Sequence, residues 1–162
     1  SDVYKRQDPN YIFRNDWEEP SYGRDADNDV FTKLAKTNND GTITDYGATF
    51  EDAVISGNGT YTCSMTTGEM GFGEDTAFHF FRVSTDIPSK LVKEGYVTIS
   101  DVTIKIGEGK TQSGVVVDTS GDWVKLIVED NYNNIKADGV VLTAPAPNTT
   151  TVFTFTVSGL AE

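Results

Sequence analysis

Apolar and polar residues alternate with a period of two over most of the chain, in short stretches separated by Gly, Asn, Asp or Pro. That pattern predicts strands at Tyr11–Asn15, Ala48–Ser56, Thr60–Met65, Ala77–Ser84, Tyr96–Ile106, Gly114–Val117, Trp123–Glu129 and Thr151–Ser158. Between the second and third of these, "VISGNGTYTCSM" places Asn58-Gly59, a pair that tolerates positive φ, and predicts a tight hairpin. "NNDG" at 38–41, "SGD" at 120–122 and "ADG" at 137–139 predict further turns. "TAPAPNTT" at 143–150 predicts a stiff loop, because proline gives no N–H to a ladder.

One stretch breaks its own alternation. In "YVTISDVTIKIG", Val97 and Ile99 keep one phase and Val102, Ile104 and Ile106 the other. A regular strand cannot face both sets inward, so an extra residue near Ser100-Asp101, a β-bulge, is expected; a short turn between two strands is the alternative. Only "NDVFTKLAK" has helical spacing, with Asp29 as cap and Phe31 and Leu34 at i, i+3. No βαβ rhythm appears. The pattern therefore predicts an all-β protein, an antiparallel β-sandwich of jelly-roll type with at most one short helix.

Composition agrees: Thr occurs 21 times and Val 16 times against 5 Leu, and β-branched side chains suit a pleated surface. At 162 residues one domain is expected. The opening "SDVYKRQ" resembles the translation of a sequencing-library adapter within an environmental reading frame. Residues 1–7 are accordingly expected to be a non-native leader standing where a first strand could have been, with an ordinary flexible terminus as the alternative, and residues 8–162 a single module.

Charge narrows the partners. Thirteen Lys+Arg against 25 Asp+Glu give a net charge of −12, opposite to what binding nucleic acid or an anionic membrane requires. The apolar runs are too short to cross a bilayer as helices. The single Cys63 alternates in phase with Tyr61 and Met65, which predicts an inward small hydrophobe rather than a reactive thiol.

Several chemistries lack their residues. The one histidine, His79 in "AFHFFRV", sits inside a strand pattern, where a packed structural role is the usual one. No nucleophile elbow, phosphate loop or dinucleotide fingerprint occurs. One His and one Cys make a zinc site improbable. Paired carboxylates for glycoside hydrolysis arise by chance among 25 acids, so they carry little weight without a shaped cleft. No enzyme is expected. "RDADND" spaces Asp25, Asp27 and Asp29 at alternate positions, which suits a structural Ca²⁺; a solvated acidic turn is the plainer reading. It is no EF-hand, because Val30 and Lys36 stand where Gly and Glu are required.

The aromatics raise the sharper possibility. A sugar ring offers C–H faces to a flat side chain and a rim of hydroxyls to polar groups. Trp17 and Tyr22 lie among Arg14, Asn15, Asp16, Arg24 and Asp25, and Tyr132 lies among amides and acids. Trp123 starts a strand out of phase with Val124, Leu126 and Val128, so it faces out if those three face in. Arg14, Trp17, Tyr22, Arg24, Trp123 and Tyr132 are the candidate carbohydrate contacts. Against this, aromatics in β proteins more often belong to the core, and Tyr11, Phe13 and Trp17 share one phase. Phe13 is assigned to the core and Trp17 to a rim.

"YIFRNDW…YGRD", "GNGTYT", "FRVSTDIP", "VTISDVTIKIG" and "FTFTVSGL" together resemble β-sandwich modules appended to secreted glycoside hydrolases of gut and rumen Firmicutes. The resemblance covers most of residues 11–160 and lies in strand order rather than in a catalytic motif. It implies an antiparallel jelly roll, a non-catalytic carbohydrate-binding role at Trp17 and Tyr22, a covalently linked catalytic domain, and an extracellular or cell-surface location. The competing expectation is a structural or adhesive extracellular module with no glycan site.

Overall fold

The computed structural model describes residues 11–16, 35–37, 40, 43–45, 47–51, 53–69, 80–130, 133–143 and 146–160. Among them the chain forms two antiparallel sheets packed as a β-sandwich. The strands are β1 (Tyr11–Asp16), β2 (Ala35–Thr37), β3 (Ile43–Asp45), β4 (Thr49–Glu51), β5 (Ala53–Ile55), β6 (Gly59–Thr66) and β7 (Phe80–Pro88). After helix α1 (Ser89–Lys93) come β8 (Thr98–Ile106), β9 (Gln112–Ser113), β10 (Val116–Asp118), β11 (Trp123–Asp130), β12 (Ile135–Lys136) and β13 (Thr150–Ser158). The first sheet runs β10-β11-β7-β1-β5, with β12 also on β11. The second runs β4-β6-β13-β8-β9, and β2-β3 pair separately, with Asp40 in a turn the one described residue between them.

Alternation builds the core directly. On β13, Thr151, Phe153, Phe155 and Val157 are buried, and the residues between them are not. Phe153 meets Phe81 of the facing sheet, ring centroids 6.5 Å apart. Ile55, Met65, Ile87, Leu91 and Ile104 are the other largest of the fully buried side chains. Each such side chain contributes about 1.5–3 kcal/mol by leaving water. Cys63 and Met65 are buried and Tyr61 half-buried, as their shared phase predicts.

The expected bulge is present. Thr154 pairs with Thr103 and Thr156 with Ser100, so three steps on β8 match two on β13. Asp101 absorbs the extra residue at φ 51° and is exposed, while Val97, Ile99, Val102 and Ile104 are all buried.

Three expectations are corrected. Ala48–Ser56 is two strands on different sheets: β4 pairs with β6, and β5 pairs with β1. For the same reason Asn58-Gly59 is no hairpin, since β5 and β6 lie in opposite layers and the turn carries the chain across the sandwich. Asn58 does not adopt positive φ. Its carboxamide binds the main chain of Leu160 instead, with Nδ2 donating to the carbonyl (3.1 Å) and Oδ1 accepting from the N–H (2.9 Å). Finally, Ala35 and Lys36, at the end of the helical pattern, lie in β2. The rest of that pattern falls outside the described residues, as do residues 1–7 and His79.

The described helix is α1, five residues long, placed by Pro88 at the end of β7 and held by the burial of Leu91. Proline supplies no ladder donor, so the strand stops there.

Candidate functional site

Two regions combine accessible surface with defined geometry, at opposite ends of the sandwich. The first is built around Trp123. Its strand meets β7 irregularly: Trp123 pairs with Pro88 but Lys125 with Ser84, which leaves surplus residues on β7. The buried Thr85 hydroxyl fills the gap, donating to the Val124 carbonyl (2.7 Å) and accepting from the Ile87 N–H (3.1 Å). Irregularities of this kind re-aim side chains. Val124, Leu126 and Val128 are buried as expected, and Trp123 stands 52% exposed. Asp118 ends β10, and the turn that follows carries Ser120 and Asp122; the Ser120 N–H donates to Asp118 Oδ1 (3.2 Å), and the Ser89 N–H donates to the Asp122 carbonyl (2.9 Å). The indole thus stands exposed at the start of β11, just after a turn that α1 holds through Ser89, with two carboxylates and a hydroxyl close before it in sequence.

Arg14 lies nearby in the sheet. Ser84 of β7 pairs with Arg14 on one side and Lys125 on the other, so those two backbones are two strand spacings apart, about 10 Å. Trp17, Tyr22, Arg24 and Tyr132 lie outside the described residues, as do Asp25, Asp27 and Asp29. No group of three His, Cys, Asp or Glu positioned for a metal occurs among the described residues.

The second region is a groove of about 870 Å³ that the sequence reading did not single out. Ile106 and Val152 come from the ends of β8 and β13, Gly107 to Lys110 from the β8–β9 turn, and Val141, Thr143, Ala146 and Asn148 from the chain entering β13. Two sets of side-chain bonds fix its walls. Gln112 Nε2 donates to the Val141 carbonyl (3.0 Å), and the Val141 N–H donates to Gln112 Oε1 (2.7 Å). The buried Thr67 hydroxyl donates to the Ala146 carbonyl (2.6 Å) and accepts from the Thr149 N–H (2.9 Å), while the Asn148 N–H donates to the Gly68 carbonyl (3.0 Å). The expected stiff loop is therefore tied down as well as proline-rich.

Glycine is required at one corner. Gly107 has φ 54°, its N–H donates to the Thr150 carbonyl (2.9 Å), and a Cβ there would lie 2.9 Å from Thr149 Cγ2. The groove was not legible in advance because its walls join residues about forty positions apart. The lysine that follows the two glycines of "IGEGKT" and the proline loop were its only local signs.

The two regions cannot act as one site. Trp123, α1 and the start of β8 share an end, and the groove lies at the other end of β8, nine residues and roughly 25–30 Å away. No family model matches the chain, and no curated protein or solved structure matches it either.

Proposed function

We propose that this sandwich is a non-catalytic carbohydrate-binding module, of the kind appended to secreted glycoside hydrolases, that works outside the cell or at its surface. Trp123 carries the reading: an indole 52% exposed at the start of β11, with Asp118, Ser120 and Asp122 just before it in the chain. Among the described aromatics, the others with a resolved environment are buried or half-buried. A rigid exposed ring offers a sugar face its C–H contacts at little entropic cost, and the neighbouring oxygens offer partners for hydroxyls. Single sites of this kind have Kd values of about millimolar to micromolar, roughly −4 to −8 kcal/mol. Weak contact suffices to raise the effective concentration of a linked catalytic domain at its polymer.

The strand order supports the jelly-roll form of the sandwich. β6-β13-β8-β9 and β5-β1-β7-β11 have the interleaved order of that fold, with the strand that usually closes it supplied by β1. A structural Ca²⁺ at Asp25, Asp27 and Asp29 belongs to the same reading; chelator should lower the melting midpoint, and an unchanged midpoint removes the metal.

Affinity electrophoresis through gels containing a panel of plant and microbial polysaccharides tests the binding. Retardation on at least one polymer, lost in Trp123→Ala, is the expected result. Migration unaffected by every polymer overturns the proposal and leaves the structural or adhesive module. That second reading is favoured by the absence of any aromatic among the described residues lining the groove.

A further inference from the structure

The groove has the attributes of a small-ligand site independent of Trp123. Its volume of about 870 Å³ lies within the roughly 300–1,000 Å³ typical of such sites. Its walls are set before any ligand arrives, because Gln112 holds one and Thr67 the other through bonds to main-chain atoms. Ordering costs at binding are correspondingly small. The surface is mixed: Ile106, Val141 and Val152 supply aliphatic area, and Lys105, Lys110 and Asn148 supply polar ends. Neither lysine is held in an ion pair with a described residue, and the Asn148 carboxamide bonds to none. Among the described lining residues two cations and one acid, Glu108, thus share one hollow of a chain whose net charge is −12.

We propose that this groove binds a short glycan segment carrying one carboxylate, a uronic acid residue, with Lys105 and Lys110 on the carboxylate and Ile106, Val141 and Val152 against the ring. The proposal rests on the carbohydrate reading and extends it to a second site of different chemistry. Lysine is a compact charge that pairs with a carboxylate, and two exposed lysines lining one hollow together offer more than a single surface pair. The single carboxylate follows from the rest of the surface. A long polyuronate would lay further anions along a strongly acidic protein and be repelled, whereas one anion within about a Debye length, roughly 8 Å, of both lysines experiences mainly them. The aliphatic contacts take the place of an aromatic platform.

The test compares cellobiouronic acid with cellobiose, which differ at one carboxyl, by amide shift perturbation in labelled protein. The acidic disaccharide should move resonances of residues 105–112 and 141–152, leave those around Trp123 in place, and bind about tenfold more tightly than cellobiose, the worth of roughly one good ion pair. Lys105→Ala/Lys110→Ala should remove that preference, and high salt should reduce it. Both side chains are exposed, so this variant should melt with the parent. Equal binding of the two sugars in the groove overturns the uronate assignment and leaves the carbohydrate reading standing. Shifts confined to the surroundings of Trp123, or polysaccharide retardation unchanged in the lysine variant and lost in Trp123→Ala, overturn the groove alone. Silence with both sugars and with every polysaccharide overturns both.

Discussion

The side chain of Asn58 is bonded to both main-chain polar groups of Leu160, 102 positions away in sequence. The carboxamide presents a donor and an acceptor as a neighbouring strand would, and Leu160 itself is buried. The two bonds tie the crossing between β5 and β6 to the chain just beyond β13.

Asn58→Ala should therefore cost about 1–3 kcal/mol, since it orphans an N–H and a C=O at the edge of the core. Urea denaturation measures this. A loss below about 0.5 kcal/mol would mean that water satisfies both groups, and the tie would be incidental.

At the β8 bulge, Asp101 holds φ 51°. Asp101→Gly should be neutral or slightly stabilising, and Asp101→Val should cost about 1–3 kcal/mol, because a β-branched side chain strongly disfavours that conformation. The contrast between the variants is the test: equal stabilities would show that the backbone rearranges and that the bulge can migrate.

Gly159 has φ 89°, and a Cβ there would lie 2.3 Å from the Tyr96 carbonyl oxygen. Gly159→Ala must move main chain rather than a flexible side chain, so a loss of about 2 kcal/mol or more is expected. Gly57→Ala is the control: its Cβ would meet nothing within 4 Å, and its thermal midpoint should stay close to that of the parent.

Asp130 is 1% exposed and satisfies its carboxylate entirely from nearby groups. Arg82 Nη1 donates to Oδ2 (3.1 Å), Asn133 Nδ2 donates to the same oxygen (2.8 Å), and the Asn133 N–H donates to Oδ1 (3.1 Å). Asp130→Ala should cost about 3–5 kcal/mol by leaving Arg82 mostly buried without this partner. Replacing both, Asp130→Leu with Arg82→Met, should recover much of the loss, and a double-mutant cycle reads it.

Local signals read well where the physics is local. The phase break between Ile99 and Val102 required a bulge, and the offset of Trp123 from Val124, Leu126 and Val128 put the indole outside, because side-chain direction follows from period alone. Asn58-Gly59 misled because a turn motif does not state which layer the next strand joins. That choice belongs to partners as distant as Thr156 and Val157 on β13. Asp130 sits at the end of an acidic tail on β11, and nothing beside it in sequence announces the Arg82 that makes its burial tolerable. The groove was hidden for the same reason, since Gln112 and Val141 become neighbours only in the folded chain.

From β4 to β8 the backbone changes layer at every step, going to β5, back to β6, over to β7 and back again. Neither layer can be completed while the other is unmade, because each contains strands that the other's connections must reach. Such lacing leaves no half that could persist alone, so it favours a single unfolding transition with slow refolding set by long-range strand pairing. A protease acting on the native protein would then gain access to β4 through β8 chiefly by waiting for the whole molecule to open.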